Sequence, residues 1–85
     1  MKEITYTVTA EMGLHARPAG DFTKMAKTMG STVTVFKGEK SALATRILAL
    51  MGLCIKQNDT IRVQVEGESE EQDAVAIQTF LSENL

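Results

Sequence analysis

The residues best suited to chemistry lie in one short stretch, Gly13-Leu14-His15-Ala16-Arg17-Pro18-Ala19. This stretch contains the only histidine and the only proline of the 85-residue chain. A strand pattern precedes it and a helical pattern follows it, so we expect His15 to cap the start of a helix. The first N–H groups of a helix have no intrahelical acceptor and carry the positive end of the helix dipole. The sequence therefore predicts an anion site at His15.

The side chains in this stretch favour a phosphoryl group as the anion. Arg17 carries a planar cation that can bind two phosphate oxygens at once, and the backbone N–H groups of Ala16 and Arg17 add further donors. Neutral histidine is a nucleophile, and covalent histidine intermediates are an established catalytic device. The alternative is that His15 only caps the helix, and the residue types alone leave both interpretations open.

Composition narrows the classes of protein that the chain can belong to. Its length predicts one domain over residues 1–85, with 44% hydrophobic and 24% charged residues as in ordinary globular proteins. The net charge of −2 argues against a nucleic-acid binder. We expect a cytoplasmic protein without membrane insertion, because the sequence has neither a signal-peptide pattern nor a spanning apolar run. The single cysteine, Cys54, suits a reducing compartment and is expected to be a small buried hydrophobe. We expect no metal and no cofactor, since one Cys and one His cannot form a zinc site and no P-loop occurs.

The periodicity of apolar residues predicts four strands and three helices. The strands are expected at residues 2–9, 32–36, 41–44 and 60–66, and the helices at residues 16–29, within 46–55 and from Ser69 onward. Gly30 is expected to stop the first helix, and Ser69-Glu70-Glu71-Gln72 matches a capping box for the last one. The weak strand at 41–44 is expected at a sheet edge. The order β-α-β-β-α-β-α predicts an α+β fold, an open-faced β-sandwich in which three helices cover one face of a mainly antiparallel four-stranded sheet.

The stretch from Gly13 to Ala19 resembles the active-site signature of the HPr family, the histidine phosphocarriers of the bacterial sugar phosphotransferase system. That signature reads glycine, aliphatic, histidine, small, arginine, proline, small. The resemblance extends over the whole chain and implies the same open-faced sandwich. It implies that His15 accepts a phosphoryl group from phosphorylated enzyme I and passes it to the A domain of a sugar-specific enzyme II, while Arg17 stabilises the phosphate. Such a protein is a transfer intermediate rather than a free-standing enzyme, and we expect this chain to be a monomer.

A second feature is the apolar run from Ile47 to Leu53, which leaves almost no polar face. A helix this short cannot bury all its sides in so small a domain, and an exposed apolar patch marks an interaction site. The resemblance implies that this helix lies beside the phosphohistidine and docks onto enzyme I and other partners. The implied partner-binding residues are Ile47, Leu48, Met51, Gly52, Gly20 and Lys24.

Arg46 departs from the family pattern. Many HPr proteins carry a regulatory serine at this position, immediately before the short helix, and arginine cannot be phosphorylated. Thr45 and Ser41 are nearby hydroxyls at the wrong positions, so we expect no serine-kinase circuit. Arg46 is either a partner for acidic surfaces or a solvated residue of the first turn. The alternative function is an HPr-like regulatory module that binds a transcription factor or a metabolic enzyme.

Overall fold

The computed structural model describes residues 1–85 and contains the seven predicted elements in the predicted order. The elements are β1 (Lys2–Thr7), α1 (Ala16–Lys27), β2 (Thr32–Lys37), β3 (Lys40–Leu43), α2 (Ile47–Met51), β4 (Thr60–Glu66) and α3 (Glu70–Asn84). No helix combines the length and the hydropathy needed to cross a membrane.

The four strands form one sheet in the order β1-β4-β2-β3, and every neighbouring pair is antiparallel. The short strand β3 lies at an edge, as its lack of bulky side chains predicts. A two-residue turn joins β2 to β3, with Lys37 paired to Lys40 and Gly38 at φ +58°. Glycine adopts this left-handed conformation without steric cost.

The core lies between one face of the sheet and the helices. Alternate residues of β4 (Ile61, Val63 and Val65) are buried, as the period of two predicts. The Phe22 ring of α1 lies 5.2 Å from the Phe80 ring of α3, so the two long helices meet over the sheet. The predicted fold class, an open-faced sandwich with three helices on an antiparallel sheet, is confirmed.

The predicted stop of α1 at Gly30 is wrong. The helix ends at Lys27, where the Thr28 backbone N–H and hydroxyl both donate to the Met25 carbonyl oxygen, at 3.0 and 2.7 Å. Gly30 does not adopt a positive φ. Its small size has another use, because a Cβ at this position would lie 2.9 Å from Ser69 Oγ.

The predicted capping box of α3 is also wrong. Ser69 does occupy the N-cap position, but its ψ of 22° is not extended, and its side chain caps no backbone N–H. The Ser69 hydroxyl donates instead to Asp73 Oδ2 at 2.7 Å. The hydroxyl thus donates to a carboxylate four residues along the helix, and its oxygen does not accept the Gln72 N–H as it would in a capping box.

Candidate functional site

His15 occupies the N-cap position of α1, as predicted, with extended backbone at φ −85° and ψ −174°. Its carbonyl oxygen accepts the Ala19 N–H at 3.0 Å, which begins the helical hydrogen-bond pattern. Its side chain forms no hydrogen bond and is partly exposed. The imidazole is therefore held at the helix start through its backbone, and both ring nitrogens are free to react.

The donors expected around His15 are unpaired. The backbone N–H groups of Ala16 and Arg17 have no acceptor, and Pro18 has no N–H to satisfy. The Arg17 side chain is exposed and forms neither a hydrogen bond nor an ion pair. A tetrahedral anion bound at His15 would thus find two backbone donors and one guanidinium without displacing any existing contact.

Three residues that the sequence did not single out also line the shallow depression around His15 and Arg17. They are Asp21, Glu83 and Asn84. Asp21 lies four residues after Arg17, so helical spacing could have placed it on the same face. Glu83 and Asn84 carry no such local signal, because they reach the site only through the docking of α3. That docking is fixed where the N–H groups of Thr9 and Ala10 donate to the Leu85 carbonyl oxygen at 2.6 and 2.8 Å.

Gly13 allows the loop before His15 to lie directly against the chain that follows α2. Its φ is +61°, and the adjacent Leu14 N–H donates to the Ile55 carbonyl oxygen at 3.0 Å. A Cβ at Gly13 would collide with that same oxygen and would lie 2.7 Å from Lys56 Cα. Only glycine fits this position, so the backbone entering His15 is set by a contact with residues 55 and 56.

A small polar cluster holds the turn formed by residues 54–59. Lys37 Nζ donates to the Cys54 carbonyl oxygen at 2.7 Å and lies 3.0 Å from Asp59 Oδ2, while the Lys56 N–H donates to the same carboxylate oxygen at 2.8 Å. The Lys56 backbone hydrogen bond, helped by the Lys37 ammonium, lowers the pKa of Asp59 below its usual 3.8. The charged form of Asp59 is therefore the one that fixes the support beneath Gly13.

Asp59→Asn is expected to lower stability near neutral pH and to have a smaller effect in acid. Because folding lowers the pKa of Asp59, its stabilising contribution is complete above 3.8 and is lost as the pH falls through the folded-state pKa. Urea unfolding of the wild type and the variant at about pH 6 and about pH 3 measures this difference. Glu66→Gln, which removes a carboxylate without a hydrogen bond or ion pair, is the control. If the free energy of unfolding differed between the wild type and Asp59→Asn by the same amount at both pH values, the prediction would be contradicted.

Cys54 is exposed, so its predicted burial is wrong. It adopts φ +53° just after α2, while its neighbours Leu53 and Ile55 are buried. The left-handed backbone turns this one residue outward from an otherwise apolar run. No group of three or more His, Cys, Asp or Glu side chains is arranged to hold a metal ion.

The short helix α2 buries one side and exposes the other. Leu50 is fully buried, whereas Leu48 is 81% exposed, Ile47 is 38% exposed and Met51 is half-buried. Gly52, at the C-cap, is exposed. A two-sided helix of five residues thus leaves an apolar patch on the surface, which we define as Ile47, Leu48, Met51 and Gly52 and call the α2 patch.

The α2 patch continues onto α1. A Cβ at Gly20 would lie 3.6 Å from Ile47 Cδ1, so the two helices are in contact there. Lys24, one turn further along α1, is exposed and forms no ion pair. Arg46 is the N-cap of α2, is exposed and also forms no ion pair. Ile47 of the α2 patch thus contacts α1 at Gly20, and the two helices that meet there each carry an exposed cation without an ion pair, Lys24 on α1 and Arg46 at the start of α2.

Comparison with known proteins places the chain in a family. The family model described as the PTS HPr component phosphorylation site matches residues 2–83. The chain is 40% identical over 83 residues to the phosphocarrier protein HPr of Lysinibacillus sphaericus, covering 98% of this chain and 94% of that protein. The crystal structure of HPr-C-His from Thermoanaerobacter tengcongensis superposes with a TM-score of 0.90 at 33% identity, covering 96% of this chain and 92% of that one. An HPr dimer from the same organism superposes with a TM-score of 0.76 at 32% identity, covering 98% and 95%. The chain belongs to the HPr family of phosphocarrier proteins.

Proposed function

We propose that this chain accepts a phosphoryl group on His15 from phosphorylated enzyme I and passes it to the A domain of a sugar-specific enzyme II. The observation that carries the proposal is the free His15 imidazole at the start of α1, beside two unpaired backbone N–H groups and the unpaired Arg17. Membership of the HPr family supports the same chemistry. A regulatory binding module would not need an open nucleophile with anion donors around it, so the carrier function is favoured.

The transfer step uses only groups of the two proteins. One nitrogen of the neutral His15 ring attacks phosphorus and forms the new P–N bond with its lone pair. The bond between phosphorus and the donor atom of enzyme I breaks, and its electron pair leaves with the donor. The other ring nitrogen keeps its proton, so the ring is positively charged until that proton passes to water. The N–H groups of Ala16 and Arg17, with the Arg17 guanidinium, stabilise the phosphoryl oxygens.

The carrier is proposed to work as a single domain of residues 1–85, as a monomer, in the cytoplasm, with no metal or cofactor of its own. Monomeric action suits a site that must face two partners in turn with the α2 patch uncovered. Because a relative forms an HPr dimer, the oligomeric state of this chain should be measured, by analytical ultracentrifugation at micromolar concentration.

Incubation with enzyme I, magnesium and phosphoenolpyruvate tests the proposed function. We expect one phosphate per chain, labile in acid and stable in base, as a phosphorus–nitrogen bond to histidine requires. Addition of an enzyme II A domain should then remove it. No phosphate on the protein, with an enzyme I from the same organism, would overturn the proposal.

Leu48→Ala is expected to weaken binding to enzyme I by about tenfold, because it removes roughly 1–1.5 kcal/mol of apolar contact from the centre of the α2 patch. Stability should hardly change, since Leu48 is 81% exposed in the free protein. Titration calorimetry measures the dissociation constant. Val75→Ala is the matched control, because Val75 is 67% exposed but lies on α3, away from the patch. If Leu48→Ala and Val75→Ala bound enzyme I equally well, Leu48 would not be a docking residue.

A further inference from the structure

The depression around His15 contains two carboxylates that phosphoryl transfer does not require. Asp21 lies on α1 four residues after Arg17, and Glu83 lies in the last turn of α3. Both line the depression together with His15 and Arg17. Both are exposed, and neither forms an ion pair or a hydrogen bond. A phosphoryl group on His15 would therefore enter a depression lined by two acidic residues and only one cationic side chain, Arg17.

Phosphorylation makes the charge of this depression more negative in either protonation state of the ring. A dianionic phosphoryl group on a neutral ring adds two negative charges, and on a protonated ring the net gain is still one. Asp21 and Glu83 repel that added charge through solvent. Asp21 can also attract the Arg17 guanidinium along the helix, since oppositely charged residues four apart on a helix interact. Both effects favour the free protein over the phosphorylated one.

Building on the proposed function, we propose that Asp21 and Glu83 destabilise the phosphohistidine and so raise the tendency of the chain to donate its phosphoryl group. The two carboxylates set the position of the phosphorylation equilibrium, and neither takes part in bond making. Because both are exposed, we expect each neutralisation to raise the equilibrium constant for phosphorylation by about two- to fivefold at low salt.

A competition between two forms of the protein in one tube tests this. Unlabelled Asp21→Asn or Glu83→Gln is mixed with ¹⁵N-labelled wild type, a catalytic amount of enzyme I and less phosphoenolpyruvate than total protein. Enzyme I then exchanges phosphate between the two proteins until equilibrium. Intact-mass spectrometry at neutral pH gives the phosphorylated fraction of each, and their ratio gives the ratio of the two equilibrium constants. Glu66→Gln is the matched control, because it also removes one negative charge. Glu66 ends β4 beside the start of β1, where Val65 pairs with Lys2, whereas His15 follows the opposite end of β1.

We expect both site variants to hold more phosphate than the wild type, and the excess to shrink as KCl screens the charges. The salt dependence separates an electrostatic effect from a structural one. Ratios at or below one for both variants, or an excess as large in Glu66→Gln, would overturn the inference while leaving the carrier function standing. No phosphate on either protein would overturn the proposed function, and this inference with it.

Discussion

Replacing His15 by alanine is expected to abolish phosphoryl uptake from enzyme I completely. His15 is the only histidine of the chain, so no second imidazole can take over the P–N bond. The N–H groups and Arg17 would remain, but these groups bind phosphate without forming a covalent bond to it. Labelled phosphoenolpyruvate, enzyme I and magnesium, followed by measurement of protein-bound phosphate at alkaline pH, provide the readout.

The fold of His15→Ala serves as the control for this experiment. The His15 side chain forms no hydrogen bond, and the helix start is set by its backbone carbonyl. We therefore expect the free energy of unfolding to change by no more than about 0.5 kcal/mol. Protein-bound phosphate on a folded His15→Ala variant would mean that another residue is the acceptor, and the proposed function would be wrong in its central residue.

The elements of the fold were predictable because they depend on binary patterns that each segment carries by itself. Ile61, Val63 and Val65 alternate with polar residues, and this alternation by itself predicts which face of the strand is buried. The single apolar face of each strand predicts a mainly antiparallel sheet, whereas the pairing of β4 with β1 and β2 joins strands that are far apart in the chain. Prediction failed at helix ends, where several polar groups compete. The Ser69 hydroxyl donates to the Asp73 carboxylate, and its oxygen accepts no N–H of the helix.

The candidate site was predictable only in part. His15 and Arg17 are neighbours in sequence, so a helix start between them predicts their common environment. Glu83 enters the same depression from the other end of the chain, and only the packing of α3 brings it there. The support beneath Gly13 is likewise non-local, since Lys37 and Asp59 come from β2 and from the turn before β4. Local patterns carry no information about contacts that tertiary packing creates.

Gly13 illustrates this limit, and its replacement is expected to have the largest effect on stability. The sequence marks Gly13 only as a loop residue before the site. In the structure its φ is +61°, and an added Cβ would meet the backbone of Ile55 and Lys56. Backbone atoms cannot rotate away as a side chain can, so the loop before His15 or the turn after α2 must move. Gly13→Ala should therefore cost about 3 kcal/mol or more of the free energy of unfolding.

Gly38→Ala provides a matched control for the clash. Gly38 has nearly the same φ, +58°, but nothing lies within 4 Å of its Cβ position. Gly38→Ala should therefore cost only about 1 kcal/mol, the price of a left-handed alanine. Urea unfolding of both variants and the wild type gives the two differences, and their gap measures the contact of Gly13 with residues 55 and 56. If both variants lost the same free energy of unfolding, the loop before His15 would be able to move away from residues 55 and 56 without cost.

The same pair of variants tests whether that contact aligns the site as well as stabilising the fold. A shift of about 1 Å in a reacting group can slow a reaction by about a hundredfold. At a temperature where Gly13→Ala is fully folded, we expect its phosphorylation by enzyme I to be at least about tenfold slower than that of Gly38→Ala. The comparison is made with saturating enzyme I, so that weaker docking does not enter the rate. If folded Gly13→Ala accepts phosphate as fast as Gly38→Ala, the glycine serves stability alone, and His15 needs no fixed approach of the backbone to react.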